Sequence, residues 1–293
     1  MDRELLASVR EEQQAFGGRL GRVGRRAEAV GSPAGEMFVP QTPELPGVLL
    51  YFHGGGYVAG DGEFARGAAS VLASRLGMRV CCADYRLAPE HPCPAAPEDA
   101  LAAYRALRAE RPEPIVLFGD SAGGGLAFVL AQRLRREKLP LPAGIIAVSP
   151  WADLSLAGAD PDGDDGFLNT AEAREWAALY AAGRDLRDPE LSPLYGDCAG
   201  LPPALLFADG GELLLPDIRR LRDRLRESGG EAELLIAPGM GHDYLFTGRP
   251  AAREDYGRMR GFLARLLQAP PPSGNGAAAP QSDHIQKIDG NEG

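Results

Sequence analysis

Short apolar runs recur along the chain, each bounded by Gly, Pro or Asp, with amphipathic stretches between them. The runs at 47–52, 79–83, 114–118, 144–148, 204–208 and 233–237 are too short for buried helices and read as strands covered on both faces. Between and after them the period changes. Over 216–227, Ile218, Leu221 and Leu225 share one face with Arg and Asp opposite, and Tyr256, Met259, Phe262, Leu263 and Leu266 repeat the helical spacing. Strand alternating with helix predicts an α/β fold built on a mostly parallel, doubly wound sheet.

Two amphipathic segments fall outside that alternation. Leu5, Leu6, Val9 and Phe16 stand at helical spacing within residues 1–16, and Thr170 precedes the helical pattern of 171–180 in the manner of an N-cap. Both are expected to belong to a cap over the sheet. The organisation expected is an N-terminal cap segment over 1–40, a catalytic domain over 41–267 with a cap insertion at about 155–195, and a disordered tail over 268–293, which is rich in Pro, Gly and Ala. The acidic run 160–166 is reminiscent of a calcium loop, but its glycine falls one place late and position 12 is Ala171 where Glu is needed. It reads as a polar surface loop.

The 293 residues suit one catalytic core with an insertion, and 44% hydrophobic with 25% charged residues is ordinary for a globular protein. No apolar run approaches the roughly 20 residues that span a bilayer, so no membrane anchor is expected. Met1-Asp2-Arg3-Glu4-Leu5 lacks the basic start of a secretory signal, and a cytoplasmic location is expected. A net charge of -10 argues against a nucleic-acid partner. Cys81, Cys82, Cys93 and Cys198 match no metal-ligand spacing and read as buried free thiols.

Candidate chemistry begins at Gly119-Asp120-Ser121-Ala122-Gly123, a G-x-S-x-G motif that follows one apolar run and opens a helical stretch. Small neighbours are needed where a strand enters a helix so abruptly, and the turn exposes the serine hydroxyl. His53-Gly54-Gly55-Gly56 follows another strand, and consecutive glycines let backbone N–H groups approach an oxyanion. A serine hydroxyl needs a base, and the chain has four histidines. His53 belongs to the glycine motif, His91 precedes the serine, and His284 lies in the expected tail. His242 remains, after the strand at 233–237, in the order serine, acid, histidine. The acid should follow the strand at 204–208, where Asp209, Glu212 and Asp217 compete. Asp217 is accounted for by a helix start and Asp209 by a turn; spacing does not separate Asp209 from Glu212.

Together with Asp84-Tyr85-Arg86-Leu87-Ala88-Pro89-Glu90-His91-Pro92, the glycine and serine motifs closely resemble the hormone-sensitive-lipase-like family of bacterial carboxylesterases over residues 45–246. The resemblance implies an α/β-hydrolase fold with an eight-stranded sheet under a helical cap, and acyl esters as substrates without a cofactor. It also implies that the N–H groups of Gly55, Gly56 and Ala122 form the oxyanion hole. By the same resemblance the acid is Glu212, in Glu212-Leu213-Leu214-Leu215-Pro216-Asp217, with Ser121 and His242 completing the triad. Glu212 stands where the family most often has Asp, and Gly125 where Asn is frequent. Asp84, Tyr85 and Arg86 are expected as internal scaffold below the site.

The expected function is a serine carboxylesterase acting on short- to medium-chain acyl esters, with a small-molecule ester as its partner. An amidase or deacetylase acting on a specialised metabolite would use the same triad, and a non-catalytic ligand-binding relative would have lost Ser121 or His242. The sequence leaves a homo-oligomer open.

Overall fold

All six apolar runs become strands, because residues covered on both faces must alternate between two cores. In β3 (Val48–Phe52), Val48, Leu50 and Phe52 enter one core and Leu49 and Tyr51 the other. The computed structural model describes residues 3–24 and 27–267. Within them β4 (Arg79–Cys82), β5 (Ile115–Asp120), β6 (Gly144–Val148), β7 (Ala204–Asp209) and β8 (Ala232–Ala237) join β3 in parallel. Residues 268–293, read as a disordered tail, lie outside the described residues.

Two further strands complete the sheet. β1 (Ala27–Ser32) and β2 (Gly35–Pro40) form an antiparallel hairpin, and β2 pairs antiparallel with β4. The spatial order is β1-β2-β4-β3-β5-β6-β7-β8. Residues 27–40, placed by sequence in a cap segment, are therefore part of the sheet. The middle of β1 is exposed, so it carries no apolar alternation by which it could be read.

On one face of the sheet lie α2 (Glu63–Leu76) and α7 (Pro250–Leu266); on the other lie α3 (Ala95–Glu110), α4 (Ser121–Arg136) and α6 (Leu215–Glu227). Ile218, Leu221 and Leu225 of α6 are buried, as their spacing predicts. The four cysteines are free and buried. Among the described residues no helix is long and apolar enough to cross a membrane.

Two helices stand over the C-terminal ends of the strands. The first, α1 (Arg3–Val23), runs past the expected residue 16 and is fastened by polar side chains. Arg10 donates to the carbonyls of Val58 and Ala88 at 2.8 and 3.1 Å and pairs with Glu90; Gln14 bonds the Asp61 carbonyl and the Glu63 N–H. The second, α5 (Thr170–Ala181), is capped by Asn169 instead of Thr170. Asn169 Oδ1 accepts the Glu172 N–H at 2.9 Å while its amide donates to the Glu172 carboxylate at 2.7 Å, a reciprocal cap. Thr170 turns its hydroxyl to the Asp160 carbonyl. The acidic loop before α5 uses its carboxylates on backbone N–H groups, Asp165 bonding those of Phe167, Leu168 and Leu213.

Candidate active site

Ser121 sits where β5 passes directly into α4, with φ at 49°. A non-glycine residue rarely occupies that left-handed region, and the cost is borne where a sharp turn projects a side chain. The turn needs small neighbours. A Cβ on Gly119 would lie 2.1 Å from the Gly123 carbonyl oxygen, and one on Gly123 would lie 2.0 Å from that of Phe52. Gly123→Ala must push α4 off β3. We expect it to cost about 1–3 kcal/mol or more in urea denaturation and to remove activity with it.

His242 Nε2 lies 3.0 Å from Ser121 Oγ. On the other side of the ring, Nδ1 lies 3.5 Å from Glu212 Oε2, and Glu212 is 4% exposed. Oε2 also accepts from Ser149 Oγ at 2.6 Å. A hydroxyl, an imidazole and a carboxylate in that sequence can move a proton off the serine and hold the resulting imidazolium.

The two competing acids lie elsewhere in the network. Asp209 accepts the N–H groups of Gly211 at 2.8 Å and Met240 at 2.5 Å. Burial pushes its carboxyl up, but these amides, with those of Gly241 and Gly210, outweigh it and hold the group below its ordinary value. Asp217 pairs with Arg220 at 2.6 Å and is pushed up chiefly by burial.

The glycine loop is held by Asp120. Its Oδ1 accepts the Tyr51 hydroxyl at 2.7 Å and its Oδ2 the Gly54 N–H at 2.9 Å. Burial raises the Asp120 carboxyl to about 6 against the pull of those two bonds. Tyr85 stacks on the His53 ring at 4.2 Å and donates to the His53 carbonyl at 2.6 Å. Gly55 and Gly56 border the same cavity as Ser121 and His242, and the Ala122 N–H belongs to the first turn of α4, where no intrahelical acceptor exists. Of the expected scaffold trio, Tyr85 alone is internal. Asp84 and Arg86 are exposed, and Arg86 pairs with Asp99 of α3 because that carboxylate, at 2.9 Å, offers a fork for its guanidinium.

A cavity of about 300 Å³ opens above Ser121. Aromatic rings wall it: Phe16 of α1, Trp176 of α5, and Phe64, Trp151, Phe167 and Phe246. Asp243, which sequence reasoning passed over, brings a carboxylate to this wall with Oδ2 3.4 Å from His242 Nε2. Burial disfavours the imidazolium, yet Asp243 and Glu212 outweigh it and raise His242 above its ordinary value. Asp120 and Ser149 were also missed. Asp120 is the variable position of its own motif, and Ser149 ends the apolar run of β6, a place where a polar residue usually signals only the end of a strand.

The sequence matches the α/β-hydrolase fold family over residues 49–246. It is 40% identical to an acetyl-hydrolase of Streptomyces hygroscopicus over 235 residues, 78% of either chain. A carboxylesterase of Mycobacterium tuberculosis is 34% identical over 237 residues, covering 76% of this chain and 74% of the relative. Among solved structures, a hormone-sensitive lipase from a metagenome library superposes with a TM-score of 0.80 at 31% identity, over 88% of this chain and 92% of the other. An esterase of the bacterial hormone-sensitive lipase family gives 0.76 at 32% identity, over 91% and 99%. With the eight-stranded sheet and the serine turn already in place, these likenesses assign the chain to the hormone-sensitive-lipase-like family of α/β hydrolases.

Proposed function

We propose that this chain is a serine carboxylesterase that hydrolyses short- to medium-chain acyl esters through an acyl-enzyme. The observation that carries the reading is the 3.0 Å contact of Ser121 Oγ with His242 Nε2 at the base of an aromatic cavity. In the first half-reaction His242 takes the Ser121 proton as Oγ attacks the ester carbonyl. The carbonyl oxygen becomes an oxyanion facing the N–H groups of Gly55, Gly56 and Ala122, and Glu212 holds the Nδ1–H. The imidazolium then protonates the departing alcohol. In the second half water replaces the alcohol, His242 takes its proton, and the acid leaves with Ser121 regenerated.

The cavity supports the chain-length assignment, since 300 Å³ lies at the low end of the roughly 300–1,000 Å³ range of small-molecule sites. The Streptomyces relative, named an acetyl-hydrolase, supports the short end. A series of p-nitrophenyl esters from acetyl to palmitoyl tests the reading. The expected result is kcat/KM highest on acetyl to hexanoyl and falling beyond; no turnover on any ester, or a rise towards palmitoyl, overturns it.

The pH profile provides a second test. His242 must be neutral to accept the Ser121 proton, so activity is lost as pH falls through its raised pKa. The acid limb of kcat/KM is therefore expected above the usual imidazole value of about 6.5. Asp243→Asn removes one carboxyl facing the ring, a group that burial itself raises well above its ordinary value, and should move that limb to lower pH. An acid limb that Asp243→Asn leaves unmoved counts against the contact of Asp243 with the ring.

A further inference from the structure

Two loops must meet for the triad to form, one after β7 carrying Glu212 and one after β8 carrying His242, and a single hydroxyl touches both. Ser149 Oγ donates to Glu212 Oε2 at 2.6 Å and accepts the backbone N–H of Asp243 at 3.2 Å. Its own N–H donates to the Phe207 carbonyl at 2.7 Å, so the residue is fixed to β7 beside the acid's loop. Ser149 is fully buried, and its φ of 44° places it in the same left-handed region as Ser121. We propose that Ser149 is a positioning residue that sets the Glu212 carboxylate against the imidazole of His242. The proposal rests on the Ser121, His242, Glu212 reading given above.

The physical need comes from glutamate itself. Glu has one more side-chain torsion than Asp, and its terminal torsion is broad, so a buried Glu carboxylate requires an external partner to hold one orientation. Among the described residues Glu212 Oε1 has no hydrogen-bond partner. Oε2 has two neighbours, the Ser149 hydroxyl and, at 3.5 Å, His242 Nδ1. Without Ser149 the carboxylate is free to rotate about its last bond, and the imidazolium loses a fixed counter-charge. A charge-assisted O–H···O⁻ bond is among the stronger hydrogen bonds available to do this. The Asp243 N–H on the same oxygen places the residue after His242 as well, so acid and base are registered to one atom.

A turn role is the competing explanation, and the strained backbone separates the two. Glycine relaxes φ at position 149 while removing the hydroxyl, so Ser149→Gly should melt above Ser149→Ala, which loses the same hydrogen bonds and keeps the strain. Its kcat, counted per site titrated with a fluorophosphonate, should fall roughly 10- to 100-fold, as when an orienting partner of a functional group is removed. KM should stay unchanged, because Ser149 does not line the cavity. The acid limb of the profile should move to lower pH, as His242 loses part of its support from Glu212 and the Asp243 N–H loses the oxygen that registers its loop. Ser149→Ala, which keeps the strained backbone and removes the same oxygen, should repeat the kcat loss. In a Glu212→Gln background, Ser149→Gly should change kcat by less than about threefold, since the two act as a unit. Wild-type kcat per titrated site in Ser149→Gly, beside a silent Glu212→Gln, overturns the role of Ser149 alone. Full turnover in Glu212→Gln overturns the triad reading beneath it.

Discussion

Ser121→Ala is expected to lower ester turnover on the order of 10⁶-fold in kcat and to end covalent labelling by a fluorophosphonate. The substitution deletes one oxygen and leaves the turn as it is, since alanine fits where Ser121 Cβ already sits. Nothing in the two cores depends on that hydroxyl; its hydrogen-bond partner is His242 Nε2. The variant should therefore fold with wild-type cooperativity and still bind an ester in the aromatic cavity. What it loses is the atom that forms the acyl-enzyme, so no slower version of the same route survives, and the remaining rate comes from binding and the oxyanion donors. Ser121→Gly should lose activity equally while gaining stability, because φ of 49° costs glycine nothing. Labelling that persists in Ser121→Ala would place the nucleophile at another residue.

The sequence disclosed those parts of the molecule whose physics is local. Strands β3 to β8 announce themselves because burial on both faces forces continuous apolar runs, and the turn at Ser121 does so because crowding there requires Gly119 and Gly123. His242 stood out as the candidate base from a shortage of alternatives, four histidines being present. Other features depend on partners distant along the chain. β1 sits at the sheet margin with the middle of the strand in water, so its pairing with β2 is written in backbone bonds that no apolar alternation betrays. Arg86 pairs with Asp99, 13 residues on in α3, a partner that nothing in the local sequence marks. Asn169 caps α5 where Thr170 looked as suitable, and only the position of the Asp160 carbonyl, which draws the Thr170 hydroxyl, decides between them. The same holds at the site. Ser149 meets Glu212 across 63 residues, a contact that exists only once β6 and β7 lie side by side, and Asp243, although next to His242 in sequence, reaches the ring only through the turn that the fold imposes there.

Glu212→Gln is expected to lower kcat on the order of 10⁴-fold with the fold preserved, and Asp209→Asn to leave kcat within a few-fold while weakening the fold. The two carboxylates lie three residues apart, yet their partners differ in kind. Glu212 faces an imidazole and a hydroxyl, groups that move protons or hold one that does; Asp209 faces the amides of Gly211 and Met240, which only fix a chain. Glutamine is isosteric but uncharged, so the imidazolium formed during attack loses its counter-charge, and an amide N–H turned to Nδ1 stabilises the wrong tautomer. Asparagine at 209 keeps one acceptor of two, and the Met240 or Gly211 N–H is left unpaired at a cost of about 1–3 kcal/mol. The pH dependence of stability separates the pair further. Asp209 is held below its ordinary value in the folded chain, so its contribution is complete above the unfolded value of about 3.9 and is lost as pH falls through the lowered folded one. Asp209→Asn should flatten the acid end of the wild-type stability curve, measured by urea denaturation at stepped pH, while Glu212→Gln changes rate at every pH. A silent Asp209→Asn beside an active Glu212→Gln would move the acid to 209, and with it the hydrogen bond that His242 needs. In that event the loop between β7 and α6 must rearrange in solution, because Asp209 can reach the ring only by releasing the Met240 amide that now anchors the histidine's own loop.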